Sequence, residues 1–204
     1  MKPSDPWNKG KVVGRKPPLS PEQVQLMKML LTQAGNIRDL ALFSLAIDSA
    51  LRGSDLVRLK VEDLYDGTDI REVANIRQKK TSKAVSFTMS TFTREALKEL
   101  IESEEMGSQS FLFTSQHKGK GNPLSPAHLR RLMKGWLAQA NINPDLYGSH
   151  SLRRSKIALI YKKTGNLRAA QLLLGHKSIE STKKYLGIEE GEALDIAKQF
   201  DDLM

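Results

Sequence analysis

The sequence predicts an α+β fold that is mainly α-helical and contains one small antiparallel β-sheet. Apolar residues recur at helical spacing through most of the chain, as in residues 24–31, and such spacing is typical of amphipathic helices. Only residues 71–77 and 84–89 alternate as strands do, with the basic turn 79–83 between them. Several helical stretches also begin with a helix-start signal, as at residues 20–23. These observations together predict a helical domain that carries one hairpin.

Start and stop residues divide the first part of the helical pattern. Residues 20–23 (Ser-Pro-Glu-Gln) predict a capping box with proline in the first turn, and Gly35 predicts the end of that helix. A second helix is predicted to start at Asn36 and to run out near Leu51. A short helix is predicted to start at residues 54–55 and to continue to residue 59.

The part of the chain after the hairpin is also predicted to be helical. Ser125-Pro126 predicts a helix start, and that helix exposes basic side chains within 130–134. The other predicted segments are 91–103, 151–163, 167–174, 178–186 and an amphipathic stretch at 189–202. We expect three parts in the chain: a basic extended arm (1–19), one domain (20–188) and an acidic C-terminal segment (189–204).

The composition indicates a polyanion binder and excludes several other classes. The chain has 32 Lys and Arg against 23 Asp and Glu, a net charge of +9, although an ordinary basic soluble protein also fits this charge. The absence of cysteine excludes disulfides, thiolate catalysis and cysteine-based zinc sites. No apolar run reaches the length of a membrane span. We therefore expect a cytoplasmic, nucleoid-associated protein without membrane contact.

Residue types suited to phosphate chemistry occur in four short segments. These segments are 50–56, 79–81, 150–154, and 174–176 followed by Tyr185. His150 and Arg153 are three residues apart, so they share a face if the helix has begun there. A guanidinium group matches two phosphate oxygens and stays charged. A tyrosine phenol has a free pKa of about 10, so it needs a neighbouring base or cations to act as a nucleophile.

Each of these residues also has an ordinary structural interpretation. Arg52 fits a solvated charge where an apolar helix breaks, and Lys80 fits one of several solvated lysines in a turn. A histidine after a helix-ending glycine, such as His176, often contacts the last helical carbonyls. Tyr185 fits a half-buried packing residue. Taken singly, none of these residues establishes a site.

In this order and at this spacing, the segments resemble the tyrosine recombinases, also called phage integrases. Residues 50–56 (Ala-Leu-Arg-Gly-Ser-Asp-Leu) resemble the family's first box, Gly-Leu-Arg-x-Ser-Glu-Leu. Lys80-Thr81 resembles the hairpin lysine, and residues 150–153 resemble the His-x-Leu-Arg box. Residues 174–176 match Leu-Gly-His, and Tyr185 follows nine residues later. The resemblance extends from about residue 20 to the end, and five ordered matches are far more specific than one short motif.

The resemblance implies a tyrosine-recombinase catalytic domain and a role for each matched residue. Tyr185 would attack the scissile phosphate, and Arg52 and Arg153 would neutralise the transition-state charge. His150 and His176 would donate hydrogen bonds to the phosphoryl oxygens, and His150 would also assist proton transfer from Tyr185. Lys80 would protonate the leaving 5′-oxygen, with Lys79 and Lys83 as alternatives. Cleavage would leave a 3′-phosphotyrosyl link, and neither ATP, a metal nor another cofactor would be required.

The resemblance also implies the partners. These are double-stranded DNA, a homo-oligomer (a tetramer) on that DNA, and accessory DNA-bending proteins as a further class. Basic side chains of the arm and of 130–134 would contact backbone phosphates, which position a protein without reading sequence. We further predict that the C-terminal segment packs on a neighbouring subunit, because its apolar residues must be buried against a protein surface. Packing on its own domain is nearly as well supported.

Two features depart from the family pattern. Arg154 stands where the family often has histidine, and we place it outside the catalytic set. Most members also have a DNA-clamping domain before the catalytic one, whereas here only the arm precedes it. The chain therefore resembles the short members such as fimbrial phase-variation invertases, or a trimmed form of a longer protein. The rival functions are a type IB topoisomerase and a non-catalytic DNA-binding protein derived from a recombinase.

Overall fold

The computed structural model describes residues 16–115 and 121–187. Within them the α+β prediction is confirmed, because helices surround one two-stranded sheet. The helices are α1 (Pro21–Gln33), α2 (Ile37–Ser49), α3 (Gly53–Leu56), α4 (Val61–Leu64), α5 (Thr91–Ser103), α6 (Pro126–Gln139), α7 (Ser149–Thr164), α8 (Leu167–Leu174) and α9 (Ile179–Leu186). The strands are β1 (Val73–Arg77) and β2 (Ala84–Thr88), and a 3₁₀ turn spans Pro144–Leu146. Most of the predicted arm and the whole segment 189–204 lie outside the described residues.

Capping fixes the first two helices where the sequence predicts them. The Ser20 side chain accepts from the Gln23 backbone N–H, and the Gln23 side chain accepts from the Ser20 N–H in return. Asn36 caps α2, and α2 ends where Ala50 takes a left-handed conformation with φ 47°. That turn redirects the chain, so that Arg52 becomes the N-cap residue of α3.

The core is built around α2, which packs against α1, α5 and α7. Almost all of its residues after the first turn are buried. The Phe43 and Trp136 rings meet edge to face with centroids 5.8 Å apart, and the Trp136 indole N–H donates to buried Asp39 at 2.9 Å. This central helix therefore supplies a rigid base from which residues 50–56 project. No helix in the described part of the chain is long and apolar enough to cross a membrane.

The hairpin packs against α2, α4 and α8 through one face. Its strands pair antiparallel with Ala74 opposite Phe87 and Ile76 opposite Val85, and these four side chains are buried while their neighbours are exposed. A smaller apolar cluster, in which Leu174 is fully buried, joins α7, α8 and α9 beside it. The hairpin, α3 and the three C-terminal helices are thereby held around one point.

Boundaries differ from the predictions mainly where helices are short. The short third helix starts at Gly53 and ends at Leu56, and α4 had no prediction. Four-residue helices offer too few turns for a periodic pattern. The longer segments agree closely: α5 and α8 have the predicted bounds, and α7 begins two residues before the predicted start.

Candidate active site

A cavity of about 520 Å³ lies where α3, the hairpin turn and the C-terminal helices meet. Its lining is strongly basic and includes a phenol and an imidazole. The lining residues are Arg52, Thr81, Arg154, Gly175, His176, Lys177, Ser181, Lys184 and Tyr185. The chain thus brings residues from all four sequence segments to one surface.

Arg52 is held by a buried glutamine that the sequence analysis did not single out. The Arg52 guanidinium donates to Gln78 Oε1 at 2.5 Å, and the Thr81 hydroxyl donates to the same oxygen at 2.8 Å. Gln78 is only 1% exposed, so its oxygen depends on these two donors. The glutamine therefore connects Arg52 to the turn that carries the candidate lysines.

Arg153 and Gln78 share an acceptor at the end of α8. Arg153 donates from a terminal nitrogen to the Leu174 carbonyl at 2.8 Å, and the Gln78 amide approaches that carbonyl at 3.5 Å. Arg153 is 2% exposed, and burial, with the charge of Arg52, lowers its pKa to about 10. It remains charged at neutral pH.

Tyr185 lies among cations and an imidazole. The Arg153 guanidinium carbon is 5.7 Å from the Tyr185 ring centroid, and the His176 ring meets the Tyr185 ring edge to face at 5.3 Å. Its hydroxyl donates to the His150 backbone carbonyl at 3.4 Å. Burial raises the pKa of Tyr185, although the neighbouring arginines act in the opposite direction. The phenol is therefore protonated at neutral pH until a base removes its proton.

His176 is held in a defined orientation by Thr182. Gly175 ends α8 with φ 64°, and the next residue places its Nδ1 3.1 Å from the Thr182 hydroxyl. Burial, followed by the charges of Arg153 and Arg52, lowers the pKa of His176 to about 4. The imidazole is therefore neutral at pH 7. The single Thr182 hydroxyl proton can go to Nδ1, which places the imidazole proton on Nε2 as a donor, or to the Ser178 carbonyl at 3.4 Å, which leaves Nδ1 as the donor to the hydroxyl oxygen.

His150 lies beside this cavity without lining it. It is in the first turn of α7 and lines a neighbouring cavity of about 450 Å³. The residue as a whole is exposed to solvent, but surrounding protein atoms partly desolvate its imidazole. This desolvation, followed by the charges of Arg153, Arg154 and Arg52, lowers the pKa of His150. Since α7 has begun by residue 149, His150 and Arg153 share a helix face as the sequence predicts.

Lys80 is exposed in the hairpin turn and does not line either cavity. The turn itself is fixed at its start, because the Lys79 backbone N–H donates to buried Asp55 at 3.1 Å. This contact anchors the hairpin to α3.

Arg154, which the sequence analysis placed outside the catalytic set, lies directly against Tyr185. Its guanidinium carbon is 4.7 Å from the Tyr185 ring centroid, nearer than that of Arg153. It is 6% exposed and lines both cavities. The only sequence signal for this contact was that position 154 holds an arginine where the family often has a histidine.

The arrangement is suited to a tetrahedral phosphate group. Fixed guanidinium groups, a neutral imidazole and a protonated phenol converge on one open cavity, and such preorganised donors stabilise developing negative charge. No group of three or more His, Asp or Glu residues that could hold a metal ion occurs in the described ranges.

Comparisons with known proteins agree with this geometry. Residues 19–191 match the family model described as the phage integrase family. The chain is 28% identical to the probable integrase/recombinase YoeC of Bacillus subtilis, covering 89% of this chain and 94% of that protein. It is 25% identical to the tyrosine recombinase XerH of Campylobacter jejuni, covering 81% of this chain but 46% of XerH. It therefore spans about half the length of that relative.

Solved structures share the fold. A crystal structure of the XerA recombinase has a TM-score of 0.72 at 20% identity, covering 90% of this chain and 65% of that one. A XerH complex with its difH substrate before cleavage has a TM-score of 0.70 at 21% identity. The match covers 92% of this chain and 56% of that one. At these identities the likeness establishes the architecture alone.

Proposed function

The chain belongs to the phage integrase family, and from this premise we propose that it is a tyrosine site-specific recombinase that cleaves and rejoins double-stranded DNA. One observation carries the proposal: the Tyr185 phenol lies beside the Arg153 guanidinium and the His176 imidazole at the edge of a basic cavity. A merely packing tyrosine would have no need of buried cations around its ring.

The proposed reaction is a pair of transesterifications. The Tyr185 oxygen attacks the scissile phosphorus in line, its bond to phosphorus forms, and the bond from phosphorus to the 5′-oxygen breaks. A 3′-phosphotyrosyl link and a free 5′-hydroxyl result. The 5′-hydroxyl of a partner strand then attacks the link and releases Tyr185. Since each step exchanges one phosphodiester for another, the bond energy is retained and no ATP is consumed.

The proton of Tyr185 requires an acceptor, because burial raises the pKa of this phenol. His150 is the proposed base: the Tyr185 hydroxyl contacts its backbone carbonyl, and its lowered pKa favours the neutral imidazole. The imidazole would come within reach of the phenol once substrate is bound, since catalytic hydrogen bonds often tighten only then.

The remaining groups would stabilise the phosphorane-like transition state. Arg52 and Arg153 each use one terminal nitrogen on the protein, which leaves further N–H groups of each fork for phosphate oxygens. A neutral His176 with its proton on Nε2 adds a third donor. Removing one such preorganised donor typically slows the reaction by about 10²–10³-fold.

Lys80 is proposed as the general acid for the leaving 5′-oxygen. Its turn is anchored at Asp55 and at Gln78, while its side chain is exposed and can reach a DNA groove. A bridging 5′-sulfur needs no protonation to leave, so it should restore cleavage by Lys80→Ala and leave Arg153→Lys slow. Rescue of Lys79→Ala or Lys83→Ala instead would move the role to that residue.

The decisive test is covalent capture. Nicked duplexes that lose their 5′-hydroxyl fragment after cleavage should trap a denaturant-resistant adduct with the protein. Tyr185→Phe should bind the duplexes with unchanged affinity and form no adduct, because it lacks only the nucleophilic oxygen. An adduct in Tyr185→Phe, or one mapped to Tyr147 or Tyr161, would refute the assignment. Relaxation of plasmids without paired sites would instead favour a topoisomerase.

The partners follow from the same proposal. Strand exchange between two duplexes requires several protomers, so we propose a tetramer on DNA, with accessory DNA-bending proteins as further partners. Exposed Arg130, Arg131 and Lys134 on α6 would contact backbone phosphates. Deletion of residues 189–204 should spare DNA binding and impair tetramer assembly, as measured by light scattering of the DNA complex. Unchanged assembly would favour packing of this segment on its own domain.

A further inference from the structure

Arg154 forms the wall between two cavities. One is the basic cavity that contains Tyr185, and the other runs beside it past Lys16, Arg130 and His150. Only 6% of the Arg154 surface is exposed, so this guanidinium is held in place by protein contacts. Its guanidinium carbon lies over the Tyr185 ring, 4.7 Å from the centroid.

The end of the arm is fastened to the same arginine. An Arg154 terminal nitrogen donates to the Lys16 backbone carbonyl. The Lys16 ammonium in turn donates to the backbone carbonyls of Asp145 at 3.0 Å and Tyr147 at 2.9 Å. Next to them, the Leu19 N–H donates to the Ser155 hydroxyl at 3.0 Å. Residues 16–19 are therefore seated along the start of α7.

We propose that Arg154 is a positioning residue that links the seating of residues 16–19 to the placement of Tyr185. The inference rests on the proposed function, because it assigns Arg154 a role in orienting the nucleophile. When residues 16–19 are seated, the Lys16 carbonyl holds one end of the guanidinium, and the guanidinium then restrains the Tyr185 ring that it contacts. When the arm is displaced, that end loses its acceptor and the restraint on the ring weakens.

The chemistry of arginine suits this role. A planar guanidinium can donate from its edge and stack through its face at the same time, whereas a lysine ammonium has no face to stack. The charge also matters, since Arg154 opposes the effect of burial on the pKa of Tyr185. An attraction of this kind changes an ionisation equilibrium by about 2- to 30-fold.

The first experiment uses the full-length protein without DNA. Ionisation of Tyr185 is followed by ultraviolet absorbance between pH 8 and 12 as the difference between each protein and its Tyr185→Phe counterpart, because the chain has 4 tyrosines. Lys16→Ala should lower the ionisation constant of Tyr185 by about 2- to 30-fold. Arg154→Met, which keeps a long buried side chain, should lower it as much. Lys98→Ala removes the same charge from α5, away from both cavities, and should have no effect.

The double variant separates positioning from a general structural role. In Arg154→Met the link is already broken, so adding Lys16→Ala should cause no further shift. If Lys16→Ala has the same effect with and without Arg154, the two residues act independently and the proposal is wrong. An unchanged Tyr185 titration in Arg154→Met would also overturn it.

The second experiment measures adduct formation with a randomised pool of nicked duplexes. Arg154→Lys keeps the charge but loses the stacking face, so its single-turnover cleavage should fall about tenfold while DNA affinity and melting temperature stay near those of the unmodified protein. Cleavage at the full rate would overturn the positioning role. If the unmodified protein forms no adduct at all, the proposed function fails, and the DNA-free titration still decides whether Arg154 positions Tyr185.

Discussion

Replacing Gln78 with methionine removes the polar group that joins Arg52 to the hairpin turn while keeping the volume of a fully buried side chain. The Arg52 guanidinium would lose its acceptor at 2.5 Å, and the Thr81 hydroxyl would lose its acceptor at 2.8 Å. The contact from the Gln78 amide to the Leu174 carbonyl is 3.5 Å long and adds little. The substitution therefore tests whether Arg52 is positioned by the hairpin.

The magnitude follows from the two hydrogen bonds. A bond to a charged group contributes about 1.5–3 kcal/mol and a neutral one about 0.5–1.5 kcal/mol. Arg52 is half-buried, so water replaces part of its lost bond and the low end of each range applies. We expect the free energy of unfolding to fall by about 2 kcal/mol. About 1.5 kcal/mol of this loss belongs to the hydrogen bond that orients Arg52. If that bond stabilises the transition state to its full extent, its loss should slow cleavage about tenfold.

Two assays on Gln78→Met separate these effects. Urea denaturation gives the free energy of unfolding, and adduct formation at saturating DNA gives the cleavage rate. Ser90→Ala is the matched control, because it removes the cap of α5 and a 2.8 Å bond to Asp48, and neither residue lines the cavity. It should lower stability by about 1–2 kcal/mol without slowing cleavage.

The reasoning would be refuted if Gln78→Met lost stability as expected but cleaved bound DNA at the unmodified rate. Arg52 would then be oriented by the DNA phosphate itself rather than by the protein. Equal slowing in Gln78→Met and Ser90→Ala would also refute it, since the loss would then reflect stability alone.

Three further predictions test the supports of the site. Gly175→Ala should destabilise the fold by about 1–3 kcal/mol, because φ is 64° and a Cβ would lie 2.6 Å from Val85 Cγ2; an unchanged urea midpoint would contradict this. Thr182→Val should change how the His176 proton is distributed between Nδ1 and Nε2, as read from nitrogen NMR shifts, because Nδ1 loses its hydroxyl partner; identical spectra would show that the hydroxyl does not set the tautomer. Burial raises the pKa of Asp48, but its hydrogen bonds and the charge of Lys156 outweigh this effect, so the net pKa is lowered. The ionised carboxylate therefore stabilises the fold fully above about pH 4, and this stabilisation is lost as pH falls through the lowered pKa. The stability deficit of Asp48→Asn should therefore shrink in acid, whereas a deficit independent of pH would count against this role.

Local patterns in the sequence were enough to predict most of the fold and the position of several site residues. Caps act within three residues, so Ser20 and Asn36 fix the starts of α1 and α2 without tertiary information. Tyr185 follows His176 by nine positions and lies on the capped helix α9, and that spacing brings the two rings together. Such short-range constraints are independent of how the rest of the chain packs.

The supports of the site could not be predicted, because they depend on contacts distant in sequence. Gln78 precedes two lysines in a turn, and nothing local distinguishes it from a solvated residue. Its burial arises only when the hairpin packs against α8, which is 96 residues away at Leu174. The contact between Arg154 and Lys16 spans 138 residues. Every residue type has a backbone carbonyl, so a contact to one cannot be recognised from the sequence.

The end of α8 gives the Leu-Gly-His segment a physical explanation. The last carbonyls of a helix have no partner within it and carry partial negative charge. Gly175 takes the left-handed conformation that ends the helix, so the Leu174 carbonyl remains free to accept from Arg153. The same turn sends the chain away at the angle that places His176 beside Tyr185. One helix terminus thus orients the guanidinium and the imidazole together, which explains why a glycine is needed between a buried leucine and a histidine.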